Sequence, residues 1–269
     1  MFISVGQFER EMGVNKTIGK FFVDRKPPEN NSFWKKRLLY ISFGNGFVSI
    51  PVYYDILFRI GIPLEVLLNE EHILFMEQLM HYAILHEKRE ISLQEELNAI
   101  RAMLKGRVKN AAWYESLNLY LDQPVLKTMG PFGLPFPSLN RADVFLYILC
   151  DLPLSEMQWK KAIRYWYALH PTYLIMDDVR DYAKDKEEGE ENVVIDLGEG
   201  TEGFEKTLEL YRRNCETINE INPLLSQFLI NNEEDLLTVI GHQSSAFSRF
   251  QRDSADKSVN GQRPTVNDK

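Results

Sequence analysis

The chain has 269 residues, of which 44% are hydrophobic and 12% aromatic, so it is long enough to bury a sizeable core. Its net charge of -8 argues against a nucleic-acid backbone as the main partner. Its two cysteines, Cys150 and Cys215, lie in apolar patterns and are expected to be buried in a reducing compartment. No run reaches the roughly 18 apolar residues of a membrane span. Acidic residues close to the start are atypical of a signal peptide, which predicts a cytoplasmic protein.

The pattern along the chain predicts an all-α protein with a single helical domain. Residues 1–31 are predicted to be an irregular N-terminal segment, 32–252 the helical domain, and 253–269 a disordered polar tail. Apolar residues at helical spacing predict helices at 64–89, 92–121 (one or two helices), 138–151, 155–169, 171–187, 203–221 and 223–251. Ser92 with Glu95 has the capping-box arrangement. The Gly/Pro-rich stretch 129–140 predicts a packed loop.

Three aspartates at four-residue spacing stand out late in the chain, at Asp177, Asp181 and Asp185. At about 100° per residue they share one helix face and extend along about 12 Å of its axis. Like charges at this spacing destabilise a helix, and acids near its C-terminus oppose the helix dipole. A solvated, charge-laced helix end is one interpretation. The other is half of a site for Mg²⁺, which binds carboxylates, waters and phosphate oxygens.

This segment resembles the second metal motif of the class I terpenoid synthases, within the isoprenoid synthase superfamily. The family pattern is Asn/Asp-Asp-x-x-Ser/Thr-x-x-x-Glu/Asp, often followed by a basic residue, Gly and Asn. Here DDVRDYAKD (177–185) precedes Gly189 and Asn192, with Asp at all three ligand positions. Arg180 and Asp181 also fit the similar RDxxxD segment of squalene and phytoene synthases. The resemblance covers roughly 140–252 and implies the helical bundle of this family.

An earlier acidic motif, Asp-Asp-x-x-Asp or a relative, is implied by the same resemblance. His86, Glu87 and Glu90 in HEKRE have its spacing with substituted residue types, so Glu87 and Glu90 are candidate metal ligands. An ordinary charged helix end is the favoured interpretation of HEKRE. Asp55 is a lone acid at a plausible distance upstream. A clean first motif is absent from the sequence, which leaves the catalytic status open.

The resemblance implies a Mg²⁺-dependent reaction, with Mn²⁺ as a substitute metal, on an allylic prenyl diphosphate. The metal would be held by Asp177, Asp181 and Asp185, together with Glu87 and Glu90. The diphosphate would be contacted by Arg180, Lys184 and Arg249, with catalytic roles for Arg141, Lys184 and Arg249. Arg249 precedes Phe250 where the family often has an Arg-Tyr pair, so only the guanidinium role carries over.

Ionisation would leave an allylic cation that cyclises or is quenched in an apolar cavity. Aromatic faces could stabilise it, although a packed core is the favoured interpretation for each candidate. The aromatic candidates are Phe43, Phe47, Tyr53, Tyr54, Phe145, Tyr147, Trp166 and Tyr173. The histidines His81, His170 and His242 are predicted to be structural.

Three alternatives stay open from the sequence. The first is a chain-elongating or head-to-head prenyl synthase, the second a non-catalytic protein of the same fold that binds a lipid or partner, and the third an unrelated helical scaffold. The resemblance leaves room for a homodimer. It does not define the prenyl chain length or the product.

Overall fold

The computed structural model describes residues 3–26, 28, 31, 40 and 48–241. Within these residues the regular elements are all helical, which confirms the all-α prediction. The α-helices are α1 (Val5–Arg10), α2 (Lys16–Asp24), α3 (Ser49–Arg59), α4 (Leu64–Leu67), α5 (Glu70–Glu87), α6 (Leu93–Leu104), α7 (Ala111–Leu121), α8 (Glu156–Glu188), α9 (Val193–Asp196), α10 (Gly200–Asn219) and α11 (Pro223–Asn231). Two 3₁₀ segments, Pro137–Asn140 and Asp143–Asp151, lie before α8. None of these helices is long and apolar enough to cross a membrane.

The N-terminal segment contains two helices, so its prediction as irregular was wrong for α1 and α2. Ser4 and Gln7 form a capping box at the start of α1, and Asn15 caps α2. Such short helices are marginal by propensity and depend on packing. Phe8 and Phe22 supply it, because both are buried in the core. A periodicity search over longer windows misses elements of this size.

The long apolar stretch 143–151 forms a 3₁₀ segment, whereas an α-helix was predicted over 138–151. Its residues from Asp143 to Cys150 are all buried, between α5, α6 and α7. A segment that is apolar on every side carries no 3.6-residue periodicity, so its sequence does not distinguish the two helix types.

The central helix α8 is continuous through Pro171, and the two predicted helices 155–169 and 171–187 are one. Ser155 and Gln158 form the capping box that begins it, and Gly189 ends it in a left-handed conformation with φ of 71°. α8 packs against α3, α9 and α10. Its burial on several sides keeps it helical despite the proline.

The C-terminal helices partly match their predictions. α10 covers most of the predicted 203–221, and α11 begins at Pro223 as predicted. The predicted helix 223–251 is interrupted at Asn232, after which residues 233–241 are helical again. Residues 242–251 and the predicted tail lie outside the described part of the chain. The buried hydrophobic residues form one cluster from Ile3 to Leu236.

Candidate functional site

One broad face of α8 changes from aromatic to acidic along its length. We call it the α8 face, and it consists of Trp166, His170, Tyr173, Asp177, Asp181 and Asp185, which successive steps of three or four residues keep on one side of the helix. Trp166 is buried, while the aspartates Asp177 and Asp181 are exposed. The face therefore begins in the core and ends in solvent, as the sequence predicted.

The acidic half of the α8 face crowds negative charge at Asp177. Partial burial and then repulsion from Asp181 raise the pKa of the Asp177 carboxyl, while the charge of Arg141 opposes the shift. Across the residues that the structure describes, no three acidic, histidine or cysteine side chains enclose a common metal position. The aspartates form a row of hard oxygen donors. A row suits Mg²⁺ held by one or two carboxylates, with waters and phosphate oxygens completing its coordination.

Arg141 lies beside this acidic row. Its Nη2 donates to Asp178 Oδ1 at 2.6 Å, and its Nη1 donates to Asp178 Oδ2 at 3.3 Å and to the Ser138 carbonyl at 2.9 Å. Asp178 is 1% exposed, whereas the Arg141 side chain is 30% exposed. The pairing fixes a partly accessible guanidinium next to Asp177, in the region where the resemblance implied a diphosphate contact.

A turn before α9 supports the acidic row from behind. Asn192 donates from Nδ2 to the Asp178 carbonyl at 2.7 Å and to Asp185 Oδ2 at 2.9 Å. The Val193 amide donates to Asp178 Oδ2 at 2.7 Å. Asn192 is 1% exposed. In the sequence analysis Asn192 was only one position of the family pattern. An Asn directly before two apolar residues is, however, a typical helix N-cap, and this signal could have identified its role.

The aromatic half of the α8 face carries unpaired polar atoms. The imidazole of His170 stacks on the Trp166 ring at 4.5 Å and 2°, and Trp166 in turn contacts Phe145 and Tyr53. Both ring nitrogens of His170 and the hydroxyl of Tyr173 are buried without a hydrogen-bond partner. Burial, helped by the charge of Arg141, lowers the pKa of His170 to about 3, so the imidazole is neutral.

Among the aromatic candidates, the structure brings Tyr53, Phe145 and Trp166 together beside His170. Tyr54 and Tyr147 lie in other hydrogen-bond networks, with His72 and Asn118 respectively. Phe43 and Phe47 lie outside the described residues.

A buried carboxylate that sequence reasoning missed anchors the aromatic half. Asp143 accepts hydrogen bonds from Tyr120 Oη at 2.5 Å, Tyr167 Oη at 2.7 Å and Trp166 Nε1 at 2.8 Å. Burial raises the pKa of its carboxyl to about 6, although the three donors oppose the shift. The network ties α7 and α8 to the 3₁₀ segment. Its donors come from two helices that are distant from Asp143 in sequence, so no local sequence pattern indicates the network.

The predicted first acidic motif lies at the end of α5. Glu87 is the last residue of that helix and Glu90 lies in the turn after it, both exposed. Arg89 in this turn donates to Glu190 Oε1 at 2.9 Å, just beyond the end of α8. The structure thus brings the two acidic segments close together, although Glu87 and Glu90 do not share a helical turn.

The remaining predicted site residues have other positions. Lys184 is exposed and pairs with Glu188 at 3.7 Å, and Arg180 is exposed on α8. Arg249 and His242 lie outside the described residues. Asp55 is buried, pairs with Arg59 at 2.6 Å and accepts from the Asn15 amide at 2.7 Å, so it anchors the N-terminus.

An open groove of about 630 Å³ is lined by residues of α2, Arg25, Lys26 and Leu68. None of its lining residues belongs to the α8 face. Comparisons of this chain with protein-family models, curated proteins and solved structures found no match.

Proposed function

We propose that this protein is a Mg²⁺-dependent enzyme of the class I terpene synthase type, which ionises an allylic prenyl diphosphate. The single observation that carries the proposal is the arrangement of Arg141 beside an acidic row that continues into an aromatic cluster on one helix face. Such a face offers an anion-binding end and an apolar end to one elongated substrate. The fold assignment to this family is part of the proposal, as are the predicted cytoplasmic location and homodimer.

The anionic end of the substrate would lie at the acidic half of the α8 face. Metal ions would be held along the row by Asp177, Asp181 and Asp185, each ion by one or two of these carboxylates, and Glu87 and Glu90 are proposed as further ligands. When bound, Mg²⁺ supplies positive charge that stabilises the departing diphosphate. Arg141 contributes a fixed guanidinium that binds the same oxygens. Arg180, Lys184 and Arg249 are proposed as further diphosphate contacts.

The apolar end would lie against the cluster of Tyr53, Phe145 and Trp166. Ring faces stabilise a cation electrostatically, and more strongly where water is excluded. Trp166 is 3% exposed and belongs to the core. The prenyl cation would therefore lie against the outer surface of this packed cluster, and be cyclised or quenched there.

A non-catalytic protein that binds Mg²⁺ and a phosphorylated lipid is the second candidate. The exposure of Asp177 and Asp181 favours it, because a water-filled site would not protect a carbocation. A chain-elongating or head-to-head synthase requires a second substrate site, and no feature of the described residues supports such a site.

The test is incubation with geranyl, farnesyl or geranylgeranyl diphosphate and Mg²⁺, followed by measurement of released diphosphate and of hydrocarbon or alcohol products. Asp181→Asn should abolish release and leave the melting temperature unchanged, because the side chain is exposed. Asp235→Asn, at another exposed carboxylate, is the matched control and should retain release. Stabilisation by Mg²⁺ and pyrophosphate without turnover would support the second candidate. The absence of both responses would refute both.

A further inference from the structure

Two adjacent polar groups on the α8 face have no hydrogen-bond partner in the part of the chain that the structure describes. They are the imidazole of His170, at both nitrogens, and the hydroxyl of Tyr173. An unpaired buried polar group destabilises the folded state, so it requires a structural or functional reason. Both groups lie in the aromatic half of the face, one or two helical turns before Asp177.

The other described histidines differ from His170. His72 contacts the Tyr54 hydroxyl at 3.0 Å and Asp151 Oδ2 at 3.2 Å, so both of its nitrogens are engaged. His86 lies 3.0 Å from Glu96. His81 leaves a buried Nδ1 unpaired but lies on α5 and not on the α8 face. His170 therefore combines two unpaired nitrogens with a position on the proposed substrate face.

The surroundings of His170 are suited to holding a neutral base. Its ring is stacked flat on Trp166, which fixes its orientation. Arg141, through its charge, disfavours the protonated ring before reaction. After a proton arrives, the face of the Trp166 ring attracts the new positive charge. The sequence predicted this residue to be structural because a lone histidine in a helical pattern carries no other signal.

We propose that His170 is the proton acceptor that ends the reaction, an inference that rests on the proposed function. A C–H bond next to the cationic carbon breaks, and its electron pair forms the new C=C bond. The proton goes to the ring nitrogen of His170 that carries the lone pair. The resulting imidazolium passes this proton to the released diphosphate, so the imidazole is neutral again for the next turnover. A weak base suffices, because a carbocation is a very strong acid.

The test compares wild type with His170→Phe, which keeps a flat ring against Trp166 and removes both nitrogens. Diphosphate release should stay within about threefold of wild type, because ionisation occurs at the acidic half of the face. The share of the main alkene should fall at least fivefold, in favour of other alkenes or water-captured alcohols. His81→Phe is the matched control and should leave the product mixture unchanged. His170→Asn, which is also non-basic, replaces His170→Phe if that variant does not fold.

The outcomes separate this inference from the proposed function. Normal diphosphate release and an unchanged product mixture in the folded His170 variant would overturn the role of His170 alone. If wild type releases no diphosphate from any of the three substrates, the proposed function and the role of His170 are both overturned. Loss of diphosphate release in a folded His170 variant would also overturn the role of His170 as the final proton acceptor, because His170 would then act in ionisation.

Discussion

Arg141 holds the buried carboxylate of Asp178 with two hydrogen bonds, the shorter at 2.6 Å. Asp178 also accepts from the Val193 amide, so the ion pair joins the 3₁₀ region, α8 and α9 at one point. Asp177, the preceding residue, is exposed to solvent. Two adjacent aspartates thus serve different purposes, one in the fold and the other on the proposed substrate face.

Replacing Arg141 should destabilise the fold strongly. Arg141→Met leaves Asp178 charged and buried, which typically costs about 3–5 kcal/mol in the free energy of unfolding. Urea unfolding measures this loss. Arg164→Met is the control, because Arg164 forms a two-hydrogen-bond pair with Glu220 at the surface and should lose about 1 kcal/mol or less. Equal decreases in the free energy of unfolding in the two variants would show that the burial of Asp178 does not add to the cost of removing its partner.

Asn192 is expected to orient Asp185 for metal binding. Asn192→Ala removes the donor to Asp185 Oδ2 and should raise the Mg²⁺ concentration needed for stabilisation by pyrophosphate about 10–100-fold. Thermal unfolding at increasing Mg²⁺ measures this requirement. Asn110→Ala removes a similar cap from α7 and should lose about 1 kcal/mol of stability with no change in the Mg²⁺ requirement.

A double-mutant cycle checks that Asn192 acts through Asp185. In the Asp185→Ala background, Asn192→Ala should have no further effect on the Mg²⁺ requirement. An unchanged effect of Asn192→Ala in that background would show that Asn192 acts on the fold and not on the ligand.

The stability of the protein should depend on pH through Glu96. Burial raises the pKa of its carboxyl from 4.5 to about 7. The folded state therefore favours the protonated form, and this contribution is complete below about pH 4.5 and lost as the pH rises through about 7. In wild type the loss of this contribution lowers the free energy of unfolding by about 3 kcal/mol between pH 4.5 and pH 8, and Glu96→Gln should not show this decrease. Urea unfolding at the two pH values measures it.

Glu95 provides a control of opposite sign. A hydrogen bond from the Ser92 amide lowers the pKa of the Glu95 carboxyl, so its contribution is present at neutral pH and lost as the pH falls below its ordinary value. Glu95→Gln should remove this stabilisation at neutral pH. If Glu96→Gln showed the same sign as Glu95→Gln, the Glu96 carboxyl would not be desolvated.

The acidic turn after α5 should contribute to metal binding without affecting the fold. Glu87→Gln with Glu90→Gln changes two exposed side chains, so the melting temperature should stay the same. The Mg²⁺ requirement for stabilisation by pyrophosphate should rise several-fold if both carboxylates face the acidic row. Glu234→Gln with Asp235→Asn, a second exposed acidic pair, is the matched control. An unchanged requirement would make HEKRE an ordinary charged helix end.

The acidic face, the capping box of α6 and most long helices could be predicted from the sequence because each follows from local spacing. Asp177, Asp181 and Asp185 share a face wherever the helix lies, and Ser92 with Glu95 is a purely local signal. The exposure of the acids also followed from the direction of the face. The contacts that join distant segments could not be predicted from local spacing.

The tertiary partners of the site were beyond the sequence because they depend on contacts between distant segments. Asp178 was read as a motif position, and its pairing with Arg141 crosses 37 residues. The three donors to Asp143 come from α7 and α8. Whether the acidic segments at Glu87 and Glu190 meet depends on how α5 and α8 cross, which periodicity does not encode.

Pro171 lies between His170 and the acidic half of α8, and it has no amide hydrogen to donate to the Tyr167 carbonyl four residues earlier. The helix α8 is therefore weakest where the aromatic half of its face meets the acidic half. The aromatic half is held by hydrogen bonds to Asp143, whereas the acidic half is held through Asp178 to the turn before α9. A bend at Pro171 would move the three aspartates together relative to Trp166, so in the proposed complex the position of the diphosphate and that of the prenyl chain beside His170 would be coupled.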